Sequence, residues 1–385
     1  MLRRRRLAVL VCTLLRAADL PPLPVRPRNE LLGGRSRTAA LFLGVLAVTV
    51  AAGALHYAGA EPVAVFVVAG LALAGLAWVI AVATETVGDR FGPAATGVLQ
   101  STLGNLPELF VVLFAISAGE IVVAKTSIVG SLLANALLVL GLAIAAGARN
   151  AADGVMSFRR RLPNDTATLL LLAVFVIALL GVSDRVGDRA SHHQVAISVV
   201  GALCLLAVYG AWLWSYLREP ESRQELEQAT AHRHVTFRAA IALLAAGGLA
   251  AALVSDWFVD ALDPAVRAIG ISKAFTGLVI VGIAGNAVEN VVGILLAAKG
   301  QADLAISVVK NSVSQIAVLL FPVLVLLSLF FSHRLTFVLD PVYVIALLLM
   351  AIAVWQITGD GKAVLFEGLA LVTLYAVVSA LAFYE

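Results

Sequence analysis

Two glutamates lie in the middle of long apolar segments, and each ends a repeated motif. GNLPE runs from Gly104 to Glu108, and GNAVE runs from Gly285 to Glu289. An ionised carboxylate in the hydrocarbon core of a membrane costs at least ~2.5 kcal/mol, so such residues are normally functional. The pair therefore predicts a site at membrane depth that binds cations or protons.

Amide and hydroxyl groups recur at helical spacing around both glutamates. An asparagine stands three residues before each acid, which puts both side chains on one helix face. The following apolar segments carry polar pairs spaced four and three residues apart. Hard cations such as Ca2+ take six to eight oxygen ligands, and two carboxylates would neutralise a divalent charge. The predicted cation and proton site comprises Glu108, Glu289, Asn105, Asn286, Ser131, Asn135, Ser312 and Gln315, with Glu108 and Glu289 as the metal-binding acids.

The motifs contain a proline that interrupts helical hydrogen bonding and glycines that leave no side chain at the helix surface. Pro107 cannot donate a hydrogen bond to the carbonyl of Leu103, and Gly104 and Gly285 allow another helix to approach closely. Freed carbonyls are tolerated at membrane depth only where they line a cavity. These carbonyls are expected to supply further ligands.

The same two acids can couple a cation to protons. A carboxyl group removed from water is more stable when protonated, whereas a bound cation stabilises the carboxylate. Proton and cation then compete for one site, and each displaces the other as the site is exposed to opposite sides.

The composition requires a protein that uses lipid as its solvent. Of 385 residues, 61% are hydrophobic and 13% are charged, and the mean hydropathy is +0.99. Apolar segments long enough to cross ~30 Å of hydrocarbon recur along the chain. They predict an all-α polytopic membrane protein with about eleven transmembrane helices, near 39–58, 62–84, 96–118, 121–146, 166–183, 194–217, 237–257, 274–298, 302–330, 338–357 and 363–383.

The two motifs belong to an internal repeat. Their offset of 181 positions also places Gly119 on Gly300 and Ser131 on Ser312. Each half has an odd number of spans, so the repeats are inverted, as in transporters that bind substrate at the midplane. The predicted organisation is a cytoplasmic tail (1–38), an extra helix (39–61), a first five-helix repeat (62–217), a cytoplasmic linker (218–236) and a second five-helix repeat (237–385).

The arginines set the expected orientation. Arginine-rich segments in the tail, in the loop near 149–161 and in the linker fall on one side, which the positive-inside bias makes cytoplasmic. The expected location is a bacterial inner membrane, with the N-terminus in the cytoplasm. Asp256 and Asp260 are expected near a span end, where water solvates them.

The segment from Gly104 to Gly141, GNLPELFVVLFAISAGEIVVAKTSIVGSLLANALLVLG, and its partner from Gly285 to Pro322 resemble the α-repeats of the Ca2+/H+ antiporter family in the cation/Ca2+ exchanger superfamily. This resemblance implies secondary antiport of Ca2+, or a similar divalent cation, against H+. It also implies that Glu108 and Glu289 bind both ions. The alternatives are a Na+- or K+-coupled exchanger of the same superfamily, a cation channel, and a scaffold or sensor derived from an exchanger.

Two positions depart from the family pattern. Pro107 replaces a small residue, and Lys310-Asn311 replaces an apolar residue and a glycine just before Ser312. Either the Lys310 charge modulates the site, or Lys310 is a buried lysine held neutral or paired with a carboxylate such as Asp303.

No nucleophile and base pair, phosphate loop or metal-ligand cluster is evident, so enzymatic activity and a resident cofactor are not expected. The expected partners are the lipid bilayer, with Ca2+ and H+ as substrates and no nucleic acid. A homo-oligomer is compatible with the sequence.

Overall fold

The computed structural model describes residues 33–88, 103–218 and 236–385, without the side chains at 33–38, 85, 88, 161, 162, 216–218, 288 and 289. The chain divides into two units, Met1–Leu41 and Phe42–Glu385. In the first, the described residues are the start of one helix. The rest of that helix and all the other described helices and strands lie in the second unit.

The described chain is almost entirely helical. Its helices are α1 (Gly33–Tyr57), α2 (Pro62–Gly88), α3 (Leu106–Ser117), α4 (Ile121–Asn150), α5 (Arg161–Val186), α6 (Gln194–Arg218), α7 (Phe237–Ile269), α8 (Lys273–Gly285), α9 (Ala287–Ala298), α10 (Ala302–Phe330), α11 (Pro341–Thr358) and α12 (Leu365–Tyr384), with a short 3-10 helix at Arg189–His193. Strands β1 (Val155–Ser157) and β2 (Lys362–Val364) pair antiparallel, with Met156 opposite Ala363.

Nine helices within these described ranges are long and apolar enough to cross a membrane. A tenth span forms if α8 and α9, which meet at an angle of 60°, are counted together. The predicted segment near 96–118 is described only from residue 103 onward, where it contains α3. The helical membrane architecture is confirmed, and every predicted span coincides with a described helix over at least part of its length.

The two repeats match in backbone detail. Helices α3 and α9 have 12 residues each and occupy corresponding positions. Two residues after the end of each helix stands a glycine in the left-handed conformation, Gly119 with φ 78° and Gly300 with φ 75°. Only glycine adopts this conformation without strain. The predicted register of the repeat therefore holds at the turns as well as in the motifs.

The end predicted for the span at 237–257 is wrong. Helix α7 continues without a break to Ile269, where Gly270 adopts φ 73° and ends it. Asp256 and Asp260 therefore lie inside a helix of 33 residues. The buried face extends through Trp257, Phe258 and Leu262, so packing against the rest of the protein continues the helix beyond the acids.

The two membrane faces can be distinguished by their contacts. At one face, β1 pairs with β2, and the Asn150 amide donates to the carbonyl of Ala298 at 2.7 Å. We call this the β face. At the other, the turn at Gly119 and the start of α8 meet, because Lys273 contacts Glu120 at 2.8 Å. We call this the Lys273 face. The Gly119 and Gly300 turns lie at opposite faces, as inverted repeats require.

Helices α4 and α8 approach each other so closely that only glycine fits at the contact. A Cβ atom on Gly130 would overlap the backbone of Leu278, and one on Gly282 would lie 2.6 Å from the carbonyl carbon of Gly130. Small residues at such crossings let backbones pack directly, which is a main source of helix association in membranes. This contact joins the first repeat to the second.

Replacing Gly130 with alanine is expected to lower stability by roughly 1–3 kcal/mol, because the added methyl group forces the two backbones apart. Gly210→Ala is the matched control, since nothing lies within 4 Å of a Cβ at this exposed helical position. Thermal unfolding of the purified protein in detergent measures both. Equal melting temperatures for Gly130→Ala and wild type would contradict the crossing.

Candidate cation site

Glu108 is fully buried in the first turn of α3. The chain before it is not a continuous helix: Gly104 and Asn105 form a turn, and Asn105 is the N-cap residue of α3 with φ −89° and ψ 10°. Pro107 fits in this first turn because the backbone N–H it lacks would have no helical partner there. The break places Glu108 at a helix start, where the dipole favours negative charge.

Residues from both repeats hold the Glu108 carboxyl group. The Asn286 side-chain amide donates to Glu108 Oε2 at 3.2 Å and lies 3.4 Å from the carbonyl of Gly282. The Ser131 hydroxyl also lies beside the carboxyl group. A Cβ on Gly285 would be 3.4 Å from Glu108 Cβ, so this glycine leaves space for the acid. The structure thus brings Glu108, Ser131, Asn286 and Gly285 together.

Several buried oxygens near these motifs lack hydrogen bonds within the described residues. They are Glu108 Oε1, Asn286 Oδ1, Asn135 Oδ1 and Ser312 Oγ. Buried polar atoms are normally satisfied, because each unmet group costs about 1–3 kcal/mol. Carboxylate, amide and hydroxyl oxygens are ligands for hard cations. Glu108 Oε1 and Asn286 Oδ1 belong to side chains that the structure brings together, and cation binding by this set stays a prediction.

Other predicted residues lie in the expected helices. Asn105 is 4% exposed and Asn135 is fully buried, with its amide donating to the carbonyl of Ser131 at 2.9 Å. Ser312 is buried and Gln315 is partly buried, both in α10. No hydrogen bond between described residues joins Ser312 or Gln315 to Glu108. Their participation stays a prediction.

Glu289 lies in the first turn of α9, in the position that Glu108 occupies in α3. Asn286 caps α9 with φ −115° and ψ 19°, close to the conformation of Asn105. The Glu289 side chain lies outside the described residues. The second carboxylate of the site therefore stays a prediction.

Within the part of the chain that the structure describes, three π-helical segments flank the candidate site, at Ala134–Val139, Thr276–Val281 and Ile316–Leu320. Asn135 lies in the first, and the third begins directly after Gln315. A π-helical turn disrupts the regular hydrogen-bond ladder and is frequent at functional sites. The first and third occur at corresponding positions of the two repeats, so this irregularity belongs to the repeated unit.

Lys310 is buried, as one of the two sequence interpretations expected, but it does not pair with Asp303. Its ammonium group donates to the carbonyl of Pro163 and to Thr358 Oγ1, both at 2.9 Å. Asp303 instead accepts from the backbone N–H of Arg159 at 2.7 Å. Lys310 therefore joins α10 to the start of α5 and the end of α11. The helix dipole favours a positive charge at the end of α11 and opposes one at the start of α5.

Two features of this region were missed in the sequence. Asn290 is buried, and its side-chain amide lies 3.4 Å from the carbonyl of Ile283 across the break between α8 and α9. Its position one turn after Asn286, inside an apolar segment, is a signal that could have identified it. The contact between Gly130 and Gly282 gives no such signal, because the two residues are far apart in sequence.

Comparison with known proteins gives matches over most of the chain. The family model described as sodium/calcium exchanger protein matches residues 61–217 and 239–384. The Ca2+/H+ antiporter of Synechocystis is 30% identical over 367 residues, which cover 91% of this chain and 98% of that protein. The vacuolar calcium ion transporter of Schizosaccharomyces pombe is 32% identical over 332 residues, covering 83% and 79%.

The fold also matches a solved structure. The structure of native YfkE superposes with a TM-score of 0.77 at 25% identity, and the match covers 90% of this chain and all of that one. The family model matches both repeats, including the motifs that contain Glu108 and Glu289. The chain therefore belongs to the sodium/calcium exchanger protein family.

Proposed function

We propose that this protein is a secondary antiporter that exchanges Ca2+, or a similar divalent cation, for H+. The observation that carries the proposal is the fully buried Glu108, which is held by Ser131 of its own repeat and by Asn286 of the other. The two sequence relatives described above are named for Ca2+/H+ antiport and for calcium transport. The name of the first favours proton coupling over coupling to Na+ or K+.

The geometry suits competition between proton and cation. When the site is empty, burial favours a protonated Glu108, whose remaining oxygen has no partner among the described residues. An arriving divalent cation stabilises the carboxylate and displaces the proton. Glu289 would supply the second negative charge and the second proton. Ca2+ is then a substrate, and the mechanism needs no resident cofactor.

The location of the site between two repeats favours alternating access over a continuous pore. Asn286 and Gly282 belong to the second repeat, while Glu108 and Ser131 belong to the first. A movement of one repeat relative to the other changes both sides of the site together. The cation can then leave to the opposite side only after the repeats have moved.

The protein is an integral membrane protein, and we infer that its β face is cytoplasmic. This face contains Arg149, Arg159, Arg160 and Lys362. An excess of arginine and lysine marks the cytoplasmic side of short loops. We therefore propose that the protein lies in a bacterial inner membrane with its N-terminus in the cytoplasm.

Reconstituted vesicles with an imposed pH gradient test the coupling. Ca2+ uptake is expected to be matched by proton exit, and Glu108→Gln and Glu289→Gln are expected to reduce both fluxes to background, because the amide cannot release a proton. Glu61→Gln, at an exposed position, is the matched control. Uptake of Ca2+ without proton movement would indicate a channel. Uptake that occurs only with a Na+ or K+ gradient would show that Na+ or K+, and not H+, is the coupling ion.

Asn286→Ala is expected to raise the KM for Ca2+ by roughly 10- to 100-fold, since a hydrogen bond to a charged group contributes about 1.5–3 kcal/mol. Initial uptake rates at graded Ca2+ concentrations measure this effect. Asn150→Ala removes another side-chain hydrogen bond between the repeats, but at the exposed β face, and serves as the control. An unchanged KM in Asn286→Ala would show that this amide does not position Glu108.

Lys310→Met is expected to change the KM for Ca2+ by no more than about twofold, because the ammonium group is directed at α5 and α11 and its field is offset by the acceptors there. Lys299→Met, at an exposed position, is the control for loss of one positive charge. The same uptake assay measures both variants. A tenfold fall in KM for Lys310→Met would instead mean that the Lys310 charge repels the bound cation.

A further inference from the structure

Helices α4 and α8 form a close seam that begins at the Lys273 face. The first residues of the two helices lie together. Three glycines in close contact follow at increasing distance from the Lys273 face. A Cβ on Gly277 would overlap Thr126, and Gly130 and Gly282 meet farther from the Lys273 face. We call this contact the Lys273 seam; it comprises Glu120, Lys273, Thr126, Gly277, Gly130 and Gly282.

An ion-pair network closes the outer end of the seam. Lys273 Nζ donates to both carboxylate oxygens of Glu120, at 2.9 and 2.8 Å, and lies 2.7 Å from Asp263 Oδ1. Arg267 adds a 2.7 Å contact to the other oxygen of Asp263. The side chains of Lys273, Glu120 and Asp263 are 36%, 20% and 27% exposed, so water only partly weakens their attraction. We call these three residues the Lys273 latch.

The candidate cation site lies at the inner end of the same seam. The carbonyl of Gly282 is 3.5 Å from the Ser131 hydroxyl and 3.4 Å from the Asn286 amide, and these two side chains flank Glu108. A path from the Lys273 face to Glu108 along this contact exists only when α4 and α8 separate. Closely packed glycines leave no space for an ion between the backbones.

The repeated sequence does not reproduce the latch at the other face. The counterpart of Glu120 is Gln301, and the counterpart of Lys273 is Gly92, which lies outside the described residues. The counterpart of Gly130 is Asn311, whose side chain occupies the position where glycine allows direct backbone contact. An ion pair cannot form between glutamine and glycine. The equivalent positions therefore cannot form this latch, although the surrounding fold is repeated.

We propose that the Lys273 latch is a gate of the transport cycle. Lys273 holds the outer ends of α4 and α7 against α8, and it separates from Glu120 and Asp263 each time the site opens to the Lys273 face. The gate rests on the proposed exchange, because it controls access to the Glu108 site.

A reversible cross-link tests the gate. In a background of Cys12→Ser and Cys204→Ser, the variant Glu120→Cys/Lys273→Cys is expected to exchange Ca2+ when reduced. A short bifunctional methanethiosulfonate should reduce that exchange at least tenfold, and a reductant should restore it. The two single-cysteine variants, treated with the same reagent, are the controls. Full exchange by a protein whose two thiols are shown to be linked would overturn the proposal.

A second measurement does not depend on transport. Thr126 is buried in α4 and its side chain lies against Gly277, so Thr126→Cys reports whether the seam is open. Labelling by a membrane-impermeant thiol reagent should be several-fold faster when Lys273→Gln is added, because the latch is then broken. Equal labelling rates would overturn the gate. If Lys273→Gln accelerates labelling but neither the wild-type protein nor any variant transports Ca2+, the proposed exchange fails and the gate stands.

Discussion

The direct backbone contact between α4 and α8 at Gly130 and Gly282 is the constraint on which the rest of the site depends. It joins the first repeat to the second at membrane depth. Because Ser131 follows Gly130 and Asn286 lies one turn after Gly282, the contact delivers both side chains to Glu108. A larger side chain at either glycine would widen the gap and separate the acid from the groups that hold it.

Burial of Glu108 explains why the neighbouring helices are broken. A continuous helix would satisfy every backbone carbonyl and leave the carboxyl group with only side-chain partners. The turns at Asn105 and Asn286 instead place glutamates in first turns, where the helix dipole favours negative charge. They also free the carbonyl of Gly282, which the Asn286 amide approaches at 3.4 Å. Breaks of this kind persist at membrane depth because the surrounding protein re-satisfies the backbone.

The two repeats share a backbone but differ in the side chains at several equivalent positions. Equal helix lengths and equivalent left-handed glycines show that the frame is repeated. Lys273, Asn290 and Lys310 have no equivalent in the first repeat, where Gly92, Leu109 and Val129 stand. A symmetric frame with asymmetric side chains can alternate between two states of unequal stability. Lys310 contributes to this asymmetry, because it joins α10 to α5 and α11. The corresponding position in α4 is Val129, which carries no charge.

The sequence by itself determined the helical membrane class, the register of the repeat and the central acid. Apolar length, a constant offset of 181 positions and the cost of a charge in lipid are local or periodic properties that can be read from the chain. It missed the length of α7, because the acids Asp256 and Asp260 suggested an end that packing overrides. It also suggested Asp303 as a partner for Lys310, but Asp303 accepts a hydrogen bond from the backbone N–H of Arg159. Only the tertiary structure decided that Asn286 reaches Glu108 and that Lys273 reaches Glu120, since these contacts join residues more than 150 positions apart and depend on how closely two glycine-containing helices approach.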